Sequence, residues 1–267
     1  MEEKPSLFKP VALTVSVLFG ILLFLSWKSI PATRAIWDSF DEKVFYFLNN
    51  PLKEFSTDTG FWVVINNRLF DLVPAIVMVY IYTFYIFSGD KKDIRDRVVK
   101  GFVMSVYMMA VTKGVHYTIY TFERLSPTLH ESIISPYRMT QVFSFSTKDS
   151  SGMSFPSDHS TVLMIICGFI WFYTRKAKYI IPAIITTIVF SIPRLVGGGH
   201  WITDVIVGGA VTTSIFLGIC FCTPLHQKLY VLLNKPVNKA CDIAGKFISV
   251  LHIPDEAAEP KREADAG

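Results

Sequence analysis

Long apolar runs separated by short charged or polar stretches dominate the chain. Six of these runs come close to the length needed to cross a bilayer: Pro10–Trp27, Phe70–Phe87, Gly101–Tyr120, Phe155–Tyr173, Tyr179–Ile192 and Trp201–Cys222. A hydrocarbon core of about 30 Å takes about 20 helical residues. The fifth run is short, which predicts a helix that ends below the outer interface. Pro10–Trp27 is longer than the apolar part of a signal peptide and has no small-residue cleavage pattern before Lys28 and Ser29, so it predicts a retained first span. Between the first two runs, Trp37, Phe40, Val44, Phe47 and Leu48 recur at helical spacing, with Asp38, Asp41 and Lys43 among them. That pattern predicts a helix lying in the interface rather than crossing it. The fold class expected is an all-α integral membrane protein of six transmembrane helices plus an interfacial helix. It forms one catalytic domain over 1–254, followed by a solvated, disordered tail over 255–267.

Composition agrees with the pattern. Of 267 residues, 51% are hydrophobic and 18% charged, where a soluble domain carries about 25% charge. Net charge is +4, and its distribution sets orientation. Lys91, Lys92, Arg95, Arg97 and Lys100 crowd one short loop, Arg175, Lys176 and Lys178 another, and Lys228, Lys235 and Lys239 follow the last run. With six spans these segments and both termini share one side, which the positive-inside rule makes cytoplasmic. Segments 28–69, 121–154 and 193–200 then lie outside. The four cysteines, Cys167, Cys220, Cys222 and Cys241, fall in apolar runs or near the C-terminus, so no disulfide framework is implied. Cys220 and Cys222 read as small buried hydrophobes rather than metal ligands.

Two polar clusters interrupt apolar sequence where polarity is expensive. One is Phe155-Pro156-Ser157-Asp158-His159. The other runs from Pro193-Arg194 through Gly197-Gly198-Gly199-His200 to Trp201-Ile202-Thr203-Asp204. Between His159 and Arg194 lie 34 residues with Arg175-Lys176-Ala177-Lys178 in the middle, which predicts a helical hairpin returning the chain to the side it left. Both clusters should therefore meet just below the outer surface, at headgroup depth. His200 and Asp204, four apart, predict a carboxylate beside an imidazole on one helix face. The glycine run predicts close backbone approach and free N–H donors for an anion, with Gly199 beside the histidine. Arg194 supplies a permanently charged fork for phosphate oxygens, Ser157 a hydroxyl, and His159 a second imidazole able to act as general acid. A lone histidine at a helix start is more often a cap, and an interfacial arginine usually snorkels. Two histidines, an arginine, an aspartate and a serine converging together point instead to phosphoryl transfer through a phosphohistidine.

Arg194-x5-His200-x3-Asp204 resembles the third signature of the type-2 phosphatidic acid phosphatase superfamily, and Pro156-Ser157-Asp158-His159 resembles its second, with Asp158 where glycine is usual. The resemblance covers the six-helix core, most of the chain. It implies that His200 is the nucleophile, Asp204 its orienting partner and His159 the acid for the leaving group, with Arg194 and Ser157 holding phosphoryl oxygens. The first signature, Lys-x6-Arg-Pro, is degraded. Glu123-Arg124-Leu125-Ser126-Pro127 stands in its place, the residue seven before Arg124 is Tyr117, and Lys113 lies too far upstream. Arg124 is the carry-over. Arg138 and Lys148 are candidates for the missing lysine, or else solvated loop charges. Asp158 is expected either to pair with Arg138 or Lys148, closing loop 121–154 over the site, or to cap the fourth helix.

Further stretches resemble the bacterial lipid A 1-phosphate phosphotransferases within that superfamily: Leu23-Phe24-Leu25-Ser26-Trp27, Val44-Phe45-Tyr46-Phe47, Asn66-Asn67-Arg68-Leu69-Phe70-Asp71, Ser126-Pro127-Thr128 and Thr147-Lys148-Asp149. This implies undecaprenyl pyrophosphate as donor and lipid A as acceptor, giving lipid A 1-diphosphate and undecaprenyl phosphate, in the bacterial inner membrane with the site facing the periplasm. The partners expected are these lipids and the bilayer, with no nucleic acid, metal or cofactor. Two other readings stand beside it. One is a lipid phosphatase, acting on undecaprenyl pyrophosphate or phosphatidate with water as acceptor; the other is a non-enzymatic lipid-binding or transport protein. The Asn66-Asn67-Arg68-x-x-Asp71 patch reads either as an acceptor headgroup site or as an interfacial cap.

Overall fold

The computed structural model describes residues 8–54, 56–111, 123–143 and 146–251. Among them the regular structure is helical, and the only β-type pairing is an isolated bridge between Arg124 and Met153. The helices are α1 (Pro10–Lys28), α2 (Pro31–Asn49), α3 (Pro51–Glu54), α4 (Ser56–Ile65), α5 (Leu72–Phe87), α6 (Ile94–Ala110), α7 (Met139–Val142), α8 (Asp158–Thr174), α9 (Ala177–Val196), α10 (Gly209–Cys222) and α11 (Leu225–Leu251). A 3₁₀ turn, Arg68–Asp71, leads into α5, and a π turn, Asp204–Gly208, leads into α10.

Pro10–Lys28, Arg68–Phe87, Ala177–Val196 and Asp204–Cys222 are long and apolar enough to cross a membrane. Their apolar side chains are not all turned inward. Val11, Val15, Phe19 and Leu22 of α1 and Leu72, Ile76, Val79 and Phe87 of α5 are exposed. Apolar patches of that extent are costly in water and cost nothing against acyl chains. The helices pack α1 on α10, α8 on both α9 and α10, α9 on α5, and α6 on α11. Two polar pairs join helices at these contacts: Ser16 donates to the Ser214 carbonyl, and Ser160 bonds Ser191 at 2.9 Å.

The hairpin forms as the spacing predicts. α8 ends at Arg175, in the left-handed region at φ 53°, and α9 returns. The fifth helix departs from expectation: it is 20 residues long and continues through Pro193 and Arg194 to Val196. A proline near the helix end forfeits a single intrahelical bond, and the Arg194 charge is met by Asn66 and Asp71 in the connection between α4 and α5, so neither residue stops the helix.

α2 is a helix, but not one that merely lies on an interface. Asp41, Phe45 and Asn49 form a buried stripe. The Asn49 amide donates to the Tyr137 carbonyl at 3.1 Å and the Val196 carbonyl at 3.0 Å, while its oxygen accepts from Tyr137 N at 2.8 Å. The loop that carries Tyr137 is thereby clasped to the end of α9. The third run begins earlier than predicted, at Ile94. Its C-terminal part, with Lys113 and Tyr117, and the tail over 255–267 lie outside the described residues.

Candidate active site

The two polar clusters converge where α8, α9 and the π turn meet. The backbone brings them together directly: Ser157 N donates to the Asp204 carbonyl at 3.0 Å. A cavity of about 200 Å³ is lined by His200, Gly199, Asp158 and Pro156 together with Lys148, Arg68 and residues 150, 151 and 153. An apolar cavity of about 380 Å³ abuts it, sharing Pro156 and Asp158 and carrying His159, Arg194 and Asp71 on its wall.

His200 is held from both sides of one ring nitrogen. Its Nδ1 lies 2.8 Å from the Ser154 carbonyl and 3.6 Å from Asp204 Oδ2. A carbonyl only accepts, so Nδ1 carries the proton and Nε2 the lone pair. The carbonyl is placed by the paired loops: Ser154 N donates to the Arg124 carbonyl at 2.8 Å, and Ser126 N to the Ser151 carbonyl at 2.9 Å. Asp204 is fully buried. Its Oδ2 accepts from Trp201 N at 2.8 Å, as the acidic residue of a capping box does, and its Oδ1 accepts from Arg124. The carboxylate is therefore shared between helix start, arginine and imidazole, and the direct hydrogen bond to His200 comes from backbone.

His159 has a carboxylate on each nitrogen. Asp158 Oδ1 lies 2.6 Å from Nδ1, and Asp71 Oδ2 lies 2.8 Å from Nε2. Lys148 Nζ is 2.7 Å from Asp71 and 2.9 Å from His159 Nε2. Arg194, 3% exposed, donates to Asp71 Oδ1 and, at 3.0 Å, to the Asn66 carbonyl, which also accepts from Lys148 N at 3.1 Å. Asn66 thus sets Lys148 beside Arg194.

Several expectations require correction. Asp158 pairs with its neighbour His159, not with Arg138 or Lys148, because a side chain at the first helical position reaches the next ring more readily than a loop. The same carboxylate accepts from His159 N at 2.8 Å in the first turn of α8, where the Ser157 side chain makes no cap bond. The glycine run offers no free donors: Gly197 N bonds Pro193 O, Gly198 N bonds Leu195 O, and Gly199 N and His200 N both bond Arg194 O. The glycines serve close packing instead. Gly198 adopts φ 73° beneath Thr128 and Phe45, and a Cβ on Gly199 would collide with the Lys148 carbonyl. Ser157 is fully buried, and its hydroxyl donates to Ser160 at 3.1 Å, away from the cavity. Arg138 stays in its loop, 3.3 Å from Ser150 Oγ and 3.9 Å from Asp149. Of the candidates for the missing lysine, Lys148 is the one on the cavity wall.

Arg124 does not line the cavity that holds His200. Besides Asp204, its fork reaches Asp41 Oδ2 at 2.6 Å and Thr203 Oγ1 at 3.0 Å, and its guanidinium lies 4.8 Å from the Trp27 ring centre and 5.5 Å from that of Trp201. Asp41, 2% exposed, also accepts from Thr203 N at 2.9 Å and Thr203 Oγ1 at 2.6 Å, at the start of the helix that carries Asp204. Burial pushes the Asp41 carboxyl above its ordinary value, against the opposing pull of Arg124. Pattern reading missed Asp41, since an acidic residue on an amphipathic helix looks solvated. It also missed the Ser154 carbonyl, because backbone acceptors leave no mark in sequence. Asp71 was visible only as part of a polar patch. Among the described residues no group of three or more His, Cys, Asp or Glu is placed to hold a metal ion.

A histidine pair, a buried arginine and a lysine around a cavity at the end of apolar helices define a phosphoryl-handling membrane enzyme, and comparison with known proteins gives the family. Residues 101–228 match the model of the PAP2 superfamily. The chain belongs to that superfamily and is a multi-pass membrane enzyme, a phosphotransferase. It is 34% identical over 218 residues to the Escherichia coli (strain K12) protein named lipid A 1-diphosphate synthase, covering 82% of this chain and 90% of that one. Among solved structures it resembles a transmembrane PAP2 type phosphatidylglycerolphosphate phosphatase from Bacillus subtilis, with 18% identity, a TM-score of 0.42, and coverage of 79% of this chain and 94% of that chain.

Proposed function

We propose that the protein moves the terminal phosphoryl group of undecaprenyl pyrophosphate to the 1-phosphate of lipid A through a phosphohistidine, yielding lipid A 1-diphosphate and undecaprenyl phosphate. The observation that carries the chemistry is the Ser154 carbonyl on His200 Nδ1, which fixes the tautomer with its lone pair on Nε2. In the first step Nε2 forms a bond to the terminal phosphorus as the bridging P–O bond breaks. His159 gives its Nε2 proton to the departing undecaprenyl phosphate. The imidazolium that forms on His200 faces the buried Asp204. Arg194 and Lys148 neutralise charge on the transferring oxygens, where such catalysis mostly lies. In the second step an oxygen of the lipid A phosphate attacks the phosphohistidine and the N–P bond breaks. Any proton released goes to His159, which thereby returns to its starting state.

The choice of lipid A as acceptor rests on the 34% identity to a relative named for that product. Six spans, with both termini cytoplasmic and the site at the periplasmic face, fit the charge distribution along the chain. Incubating the purified protein with undecaprenyl pyrophosphate labelled in its terminal phosphate, with and without lipid A, tests the reading. Label in lipid A supports it. Free phosphate alone would make the protein a phosphatase, and no turnover a binder.

A further inference from the structure

Asp158 occupies Nδ1 of His159, so Nε2 is the nitrogen that must meet a leaving oxygen. That place is taken. Asp71 Oδ2 lies 2.8 Å from His159 Nε2 and 2.7 Å from Lys148 Nζ, while Oδ1 accepts from Arg194. One carboxylate thus spans, with its two oxygens, the three cationic groups that a phosphoryl group would need. A phosphate bound among them while Asp71 stayed would meet a like charge at contact distance. Asp71 stands where the 3₁₀ turn hands over to α5, and its side chain is 24% exposed, so it has room to turn aside without unwinding the helix.

We propose that Arg194, Lys148 and His159 Nε2 form the phosphoryl subsite and that Asp71 is its built-in competitor, displaced when substrate binds. The inference rests on the reading of this site as one of phosphoryl transfer. Displacement costs the same whichever phosphate arrives. A lipid offsets it by burying apolar chain in the adjoining cavity of about 380 Å³, whose wall runs from Asp71 and His159 along Phe70, Leu163, Ile166 and Phe190. Orthophosphate has no chain to bury, and so it does not hold the site. Asp71 in this role keeps a small, abundant anion from blocking an enzyme that handles the same group on a lipid.

The test is equilibrium binding by titration calorimetry of the full-length protein in detergent, which reads the subsite without turnover. The probes are orthophosphate and farnesyl pyrophosphate, compared between wild type and Asp71→Asn, with Asp71→Ala as second variant should the first fail to fold. Removing a charged hydrogen-bond competitor should tighten orthophosphate about tenfold or more. Farnesyl pyrophosphate should tighten by a similar factor, because both displace the same contact. Asp158→Asn, which removes an equal charge from the other nitrogen, should tighten them far less. Unchanged orthophosphate affinity in folded Asp71 variants overturns the proposal, as does an equal gain from Asp158→Asn, which would mark a general field effect. If the Asp71 variants bind as expected but wild type transfers nothing to lipid A, the competitor stands and the acceptor assignment falls.

Discussion

Arg124→Ala tests the claim that this arginine holds the site together from behind. The guanidinium has about 10% of its surface exposed and joins two carboxylates, Asp41 and Asp204, that are 2% and 0% exposed. Removing it leaves two buried negative groups with no cation between them. Breaking a buried pair by deleting one partner costs about 3–5 kcal/mol, and a domain of roughly this size loses about 2–4 °C of melting temperature per kcal/mol. The expected drop is therefore about 6–20 °C. Thermal unfolding in detergent can be followed with a thiol-reactive dye, because Cys220 and Cys222 are buried and free until the helices part. The electrostatic origin has its own signature. Adding Asp41→Asn to Arg124→Ala removes the surplus charge, so the double variant should melt higher than Arg124→Ala alone, although Asp41→Asn by itself melts lower than wild type. Burial already raises the Asp41 carboxyl, and losing Arg124 raises it further. A carboxyl raised above its unfolded value is stable protonated and loses that contribution as pH rises, so the deficit of Arg124→Ala should shrink on acidification. Strictly additive single and double variants, or a deficit independent of pH, would refute the account.

Three further outcomes follow from the geometry. His200→Ala should lower turnover by several powers of ten with little change in melting temperature; transfer above about one per cent of wild type would sink the phosphohistidine scheme. His226 packs tilted against Phe221, ring centres 4.8 Å apart, with its Nδ1 buried and unpartnered, and burial, then Lys100, pushes its pKa down to about 4. Its neutral form stabilises the fold above its ordinary value near 6.5, and that contribution is lost as pH falls from there through 4, about 3 kcal/mol in all; His226→Phe should flatten the fall in melting temperature between pH 7 and 4. Cysteines at the exposed positions Ser132 and Lys92 should differ toward an impermeant thiol reagent in intact cells, Ser132→Cys reacting and Lys92→Cys not, and the reverse pattern would invert the orientation.

The sequence by itself determined the apolar helices, the α8–α9 hairpin and the meeting of its two polar ends. These follow from local properties: run length, the basic turn at Arg175–Lys178, and a spacing that returns the chain to its starting level. It also singled out His159, Arg194, His200 and Asp204, because charge in apolar sequence stands out. Only the tertiary structure decided which groups face which. Asp41 and Asp71 sit on helices far from the signatures in sequence, and each acquires its partners by burial against a cation brought from elsewhere. The Ser154 carbonyl is ordinary backbone until the 123–126 and 151–154 segments pair. Ser157 and Arg124 carry the residue types a phosphate site uses, yet other hydroxyls and carboxylates reach them at closer range. Residue type fixes what a side chain is able to bind; what it does bind depends on which partners packing delivers within hydrogen-bond distance.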